Sequence, residues 1–123
     1  MVALDFFFKN AWRWKCGLPD VEPKAKITKT LEEIKESQSN KEFEKLCENR
    51  MVLGYFRYGE IKGNKSKYDN IGSAIIRLNK YIETGNSEFL VDAVNLCMIE
   101  FTQENHPNFH FHSIDDGIHT KQI

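Results

Sequence analysis

No apolar run in this sequence approaches the roughly 20 residues that a membrane-spanning helix needs, so no partner inside a bilayer is expected. Net charge is nearly absent: 17 Lys and Arg stand against 18 Asp and Glu, leaving −1. A duplex-binding domain usually carries a basic face, so nucleic acid is not the expected partner. Lys62, Lys65 and Lys67 sit in a Gly/Asn/Ser loop and read as a solvated turn. Cysteine is scarce: Cys16, Cys47 and Cys97 are odd in number, widely spaced and free of any CxxC pair. That excludes a disulfide framework and points to reduced thiols in a cytoplasmic protein. Cys47 and Cys97 fall in predicted helices, where small core positions are expected for them. A secretory signal is also missing, because Asp5 and Lys9 interrupt the apolar N-terminus and no small-residue cleavage site follows.

What is present is a chain of 123 residues, 41% hydrophobic and 28% charged, which suits one soluble domain with a modest core. Residues 1–18 are dense in aromatics (Phe6, Phe7, Phe8, Trp12, Trp14) and predict a helix over about 3–16, ended by Gly17 and Pro19. A linker over 19–29 follows. Thr30 with Glu33 has capping-box spacing and opens a short helix to about Ser37; Ser39 with Glu42 repeats it and opens a longer one to about Tyr58, closed by Gly59. Residues 59–70 read as a loop. A helix over 71–83 has Ala74, Ile75, Leu78, Tyr81 and Ile82 as its apolar side, and Gly85 is its expected left-handed cap. Asn86 or Ser87 then caps a helix over 87–103. Ten of the fifteen residues from Ser87 to Phe101 are hydrophobic, so this helix is expected at the centre of the core. The expected fold is all-α: a small helical bundle over 30–105 with a central antiparallel hairpin (71–83, 87–103) and an irregular tail over 106–123, in a single domain that is expected to oligomerise.

Four constellations are candidates for chemistry. Glu88, Asp92 and Asn95 are spaced i, i+4, i+7 and share one helix face. Such carboxylates can share a magnesium ion with a phosphate ligand, or they form a wet face. Arg50, Gly54 and Arg57 continue the seam predicted inward by Phe43, Leu46 and Cys47, and Arg77 lies on the neighbouring helix. Buried arginines need carboxylates or phosphates, so an anion site and an ion-pair network with Glu88, Asp92 or Glu100 stand equal. Gly54 would admit a close neighbour. Glu32, Glu33 and Glu36 form EExxE, a string that exposed charged helices also produce. His106, His110, His112 and His119 with Asp115 and Asp116 match no specific zinc spacing.

The segment 50–111 resembles a group of small phage-encoded proteins. It carries Arg57-Tyr58-Gly59, Thr84-Gly85-Asn86, the run Glu88-Phe89-Leu90-Val91-Asp92-Ala93-Val94-Asn95, then Glu100-Phe101 and His106-Pro107-Asn108-Phe109-His110-Phe111. More remotely the layout resembles the MazG-like all-α nucleotide pyrophosphohydrolases, which use magnesium held by helix carboxylates. That resemblance implies that Glu32, Glu33 and Glu36 match the first acidic motif and that Glu88 and Asp92 replace the second. The family's second motif is ExxD, whereas Glu88 and Asp92 are four apart.

The expectation drawn from these features is a phage-type, nucleotide-handling protein; the resemblance implies magnesium-dependent pyrophosphohydrolase-like chemistry, and whether the chain is an enzyme stays open. Glu88 and Asp92 would be its catalytic pair, and Glu88, Asp92 and Glu100 its magnesium (Mg2+) ligands. Arg50, Arg57, Arg77 and Asn95 would bind a nucleotide or other phosphorylated small molecule. The alternative expectation is a non-enzymatic phage effector that binds a host protein, or a sponge that sequesters a signalling nucleotide.

Overall fold

The computed structural model describes residues 28–114 and Ile123. Among these residues lie four helices, α1 (Leu31–Ser37), α2 (Lys41–Tyr58), α3 (Asn70–Thr84) and α4 (Glu88–Gln103), and no strand, so the fold is all-α. The aromatic helix expected near the N-terminus and the tail over 115–122 fall outside the described residues, as does all but the last part of the 19–29 linker. The chain divides into two compact units, Asn40–Phe109 on the one hand and Met1–Ser39 with His110–Ile123 on the other.

Side-chain caps set the helix boundaries. Thr30 Oγ1 accepts a hydrogen bond from the Glu33 amide at 3.2 Å and starts α1. The second capping site is Asn40, one residue later than Ser39: Asn40 Oδ1 accepts from the Phe43 amide at 2.9 Å. Ser39 is engaged elsewhere, its hydroxyl donating to the Glu36 carbonyl at 3.2 Å. Asp69 Oδ1 accepts from the Gly72 amide at 2.9 Å and starts α3 one residue before the predicted position. Gly85, at φ +73°, closes α3 in the left-handed conformation that glycine adopts without steric cost. Asn86 Oδ1 then accepts from the Glu88 amide at 3.1 Å, while Ser87, the residue before α4, makes no side-chain cap.

Within the Asn40–Phe109 unit, α4 packs against both α2 and α3, as its apolar composition predicts. Its buried residues are Val91, Ala93 and Asn95, and those of α3 are Asn70 and Ala74. The apolar core among the described residues is therefore built from two alanines and a valine. The apolar side of α3 departs from expectation. Ala74 is buried, but Ile75, Leu78, Tyr81 and Ile82 stand exposed. The physical reason is size: the small and polar residues Asn70, Ser73 and Ala74 allow α3 to lie close to α4, and the long aliphatics occupy the neighbouring sector of the helix. Cys97 is likewise exposed rather than a core residue, whereas Cys47 is half-buried.

Candidate functional site

The stripe Glu88–Asp92–Asn95 faces α2. Arg50 Nη2 lies 3.0 Å from Glu88 Oε1 and 3.4 Å from Asp92 Oδ1. One turn earlier on α2, the Cys47 carbonyl accepts a hydrogen bond from buried Asn95 Nδ2 at 3.0 Å. Rising numbers on α2 thus meet falling numbers on α4, and the two helices are antiparallel. Three side chains spaced for one face meet one guanidinium and one backbone carbonyl, which is the ion-pair network weighed against an anion site. Two negative charges share one positive charge here. Any incoming phosphate would have to displace a carboxylate from Arg50.

The structure separates the remaining candidates. Arg57 is exposed in the last turn of α2, about 10 Å along the axis from Arg50 at 1.5 Å per residue. There a cation suits the negative end of the helix dipole. Leu46, predicted inward with Arg57, is exposed as well, because the half-buried side of α2 runs through Phe43, Cys47, Arg50, Met51 and Gly54. A Cβ on Gly54 would meet nothing within 4 Å, so this glycine does not mark a close approach. Arg77 lies over the Phe89 ring, 6.0 Å from its centroid, and Lys80 lies 5.9 Å from it. Both are at the outer limit of a cation–π contact.

Glu100 stands apart from Glu88 and Asp92, about 12 Å along α4 from Asp92, and belongs to a second polar cluster. Its Oε1 accepts from Asn105 Nδ2 at 2.9 Å and from Asn70 Nδ2 at 3.2 Å. The Asn105 amide holds the Glu100 carboxyl below the usual glutamate range; burial opposes this, and Asn70 and His106 add to it. Asn105 Oδ1 accepts from the Ser66 amide at 3.1 Å. Lys65 Nζ donates to the carbonyls of Gln103 at 3.0 Å and Glu104 at 2.7 Å. Those carbonyls end α4 and lack helical partners, so Lys65 is a helix cap rather than a solvated turn residue. This cluster fastens the 59–69 loop to the end of α4. Apart from Glu100–Asn105, its pairs lie 30 to 39 residues apart, so spacing could not announce them.

The proposed magnesium set therefore does not converge, and among the described residues no three His, Cys, Asp or Glu side chains gather as a metal-holding group. In the EExxE string Glu32 lies 3.6 Å from Lys35, and Glu33 accepts a hydrogen bond from the Thr30 hydroxyl at 3.2 Å. His106 Nδ1 accepts from the Asn108 amide at 2.9 Å. His119, Asp115 and Asp116 lie outside the described residues.

Two apolar features have no counterpart in the sequence reading. An open groove of about 450 Å3 runs between α2 and α4, lined by Phe43, Cys47 and Met51 on one side and Val94 and Met98 on the other. Glu44 also lines it, and burial followed by the Glu44 charge pushes the Cys47 thiol up, away from the reactive thiolate. On the outside of α2, Leu53 and Phe56 are exposed, Phe56 at 79% with its ring edge-to-face on Tyr55 at 5.4 Å between centroids. No helix among the described residues is long and apolar enough to cross a membrane. No family model, curated protein or solved structure matches the chain.

Proposed function

We propose that this chain works by binding: it is a helical module whose exposed apolar helix faces dock on other protein surfaces, in the manner of a phage effector that occupies a host protein. The observation that carries the reading is the inversion of its apolar residues. Ala74, Val91 and Ala93 are buried, while Leu53, Phe56, Ile75, Leu78 and Ile82 are exposed. Exposed apolar surface of this extent marks interaction sites, and aromatic anchors such as Phe56 dominate interface energetics. The test is affinity purification of the tagged full chain from a bacterial host, beside the variant Leu53→Asp/Phe56→Asp. The expected result is a stoichiometric host protein retained by the wild type and lost by the variant, with unchanged helix content by circular dichroism. Identical retention by both, or none by either, contradicts the reading for this face.

A second reading keeps the nucleotide. It is favoured by the convergence of Glu88 and Asp92 on Arg50, and it requires Arg50 to exchange a carboxylate for a phosphate. Magnesium is commonly held by one or two carboxylates together with the phosphates themselves, so the Glu88–Asp92 pair without Glu100 is its minimal form. A thermal-shift screen of nucleotides with and without Mg2+ tests it, because a ligand at 100 times its Kd stabilises by about 2.7 kcal/mol. A magnesium-dependent shift abolished by Asp92→Ala supports this reading, and no shift with any nucleotide contradicts it.

A further inference from the structure

The side of α3 that no other described helix covers has an order of its own. Ile71, Ile75, Leu78 and Ile82 are 45%, 55%, 44% and 79% exposed. Their spacing is four, three, four, which follows the a and d positions of a heptad, and Ala74 and Tyr81 beside them widen the apolar sector. The seam is about 16 Å long at 1.5 Å per residue. It lies beside, and not on, the sector holding Asn70, Ala74 and Arg77, which is turned to α4 through Glu100 and Phe89.

Two properties of the seam fit a second copy of the same helix. First, the spacing reads the same in both directions. Run antiparallel against an identical helix, Ile71 meets Ile82 and Ile75 meets Leu78, so every level pairs aliphatic with aliphatic. Second, the flanking positions are uncharged. In heptad terms they are Gly72, Ala74, Asn79 and Tyr81, while Arg77, Lys80 and Glu83 fall on positions away from the seam. Two identical surfaces that carried one sign of charge at their edges would repel each other; these do not. Antiparallel pairing also sets the helix dipoles head to tail. A two-fold contact demands this self-complementarity of a surface, and a contact with an unrelated chain does not.

We propose that the Ile71–Ile75–Leu78–Ile82 seam is a two-fold interface for a second copy of this chain, the two α3–α4 hairpins forming a four-helix bundle around it. The inference shares with the binding reading the premise that exposed apolar faces are interfaces, but it uses α3 and not the outer face of α2. A chain that captures a host protein through Phe56 while remaining monomeric would overturn this inference alone.

The test is sedimentation equilibrium of the full chain as wild type, as Ile75→Glu/Leu78→Glu and as Ile75→Lys/Leu78→Lys, each acidic and basic variant alone and the two mixed. The expected result is twice the chain mass of 14.4 kDa for the wild type, a single chain for each variant, and recovery of the pair on mixing. Ile82→Ala supplies an arm in which folding is not at issue, since Ile82 is 79% exposed in the single chain. It should weaken the dimer about tenfold or more with helix content unchanged. A wild-type chain of single mass at every concentration overturns the proposal and assigns the seam to another occupant, the aromatic segment 1–18 being the first to examine. A dimer that survives Ile82→Ala and both charged variants at wild-type strength also overturns it.

Discussion

Single side chains hold α2 to α4. Asn95 spends its amide on the Cys47 carbonyl in a buried setting, so Asn95→Ala should cost about 1 kcal/mol in urea denaturation. Arg50 sits at the edge of water, and its pairs with Glu88 and Asp92 are worth far less than their number suggests. A double-mutant cycle on Arg50→Ala and Asp92→Ala should return a coupling of about 0.5–1 kcal/mol that shrinks as salt is added. Glu100 brings pH dependence. Its carboxyl is held below the usual range in the folded chain, so its contribution is fully present above the unfolded value of about 4.3 and is lost as pH falls through the lower folded value. Removing the Asn105 amide removes the main cause. The gap in urea midpoint between wild type and Asn105→Ala should therefore be widest near neutrality and narrow below pH 4. The i, i+4, i+7 stripe was legible in the sequence together with its arginine partner as one of two readings. The Glu100–Asn70–Asn105–Lys65 cluster was not, because it joins residues of unremarkable local spacing through the return of a loop.

At the scale of the element, existence and type of the described helices were written in local chemistry. Thr30, Gly59 and Gly85 terminate helices where their side chains, or the lack of one, dictate. The boundary at Asn40 moved by one residue only because Ser39 closes the preceding helix instead of opening the next. Gly85 offers a direct check: at φ +73°, Gly85→Ala should cost about 1 kcal/mol in thermal or chemical unfolding. Gly54 should behave in the opposite way. It has helical neighbours on both sides and open space where a Cβ would stand, so Gly54→Ala should stabilise by up to about 1 kcal/mol. What the pattern could not tell was which side of α3 meets α4. Amphipathicity identifies an apolar side, but not whether the chain itself supplies a helix to cover it. On α3 the described neighbour α4 takes the small residues around Ala74, and no described helix covers the aliphatic seam.

For the whole molecule the consequence is little apolar burial among the described residues and much aliphatic surface exposed on them. Three buried apolar residues of small or moderate size among the described residues are little against a net stability that is normally a small difference between large terms. Burying Ile71, Ile75, Leu78 and Ile82 removes a set of side chains each worth roughly 1.5–3 kcal/mol on full burial, so association and folding are expected to be linked and the unfolding midpoint to rise with protein concentration. The same excess motivates the proposal of a binding module over one built around the carboxylates, whose third proposed member lies in a different cluster. The most direct measurement is the molar mass of the wild-type full chain by light scattering across a hundredfold dilution. The account predicts a mass above 14.4 kDa that falls toward that value on dilution. A constant single-chain mass, with the aliphatic seam of α3 shielded from solvent by the chain itself, would contradict it.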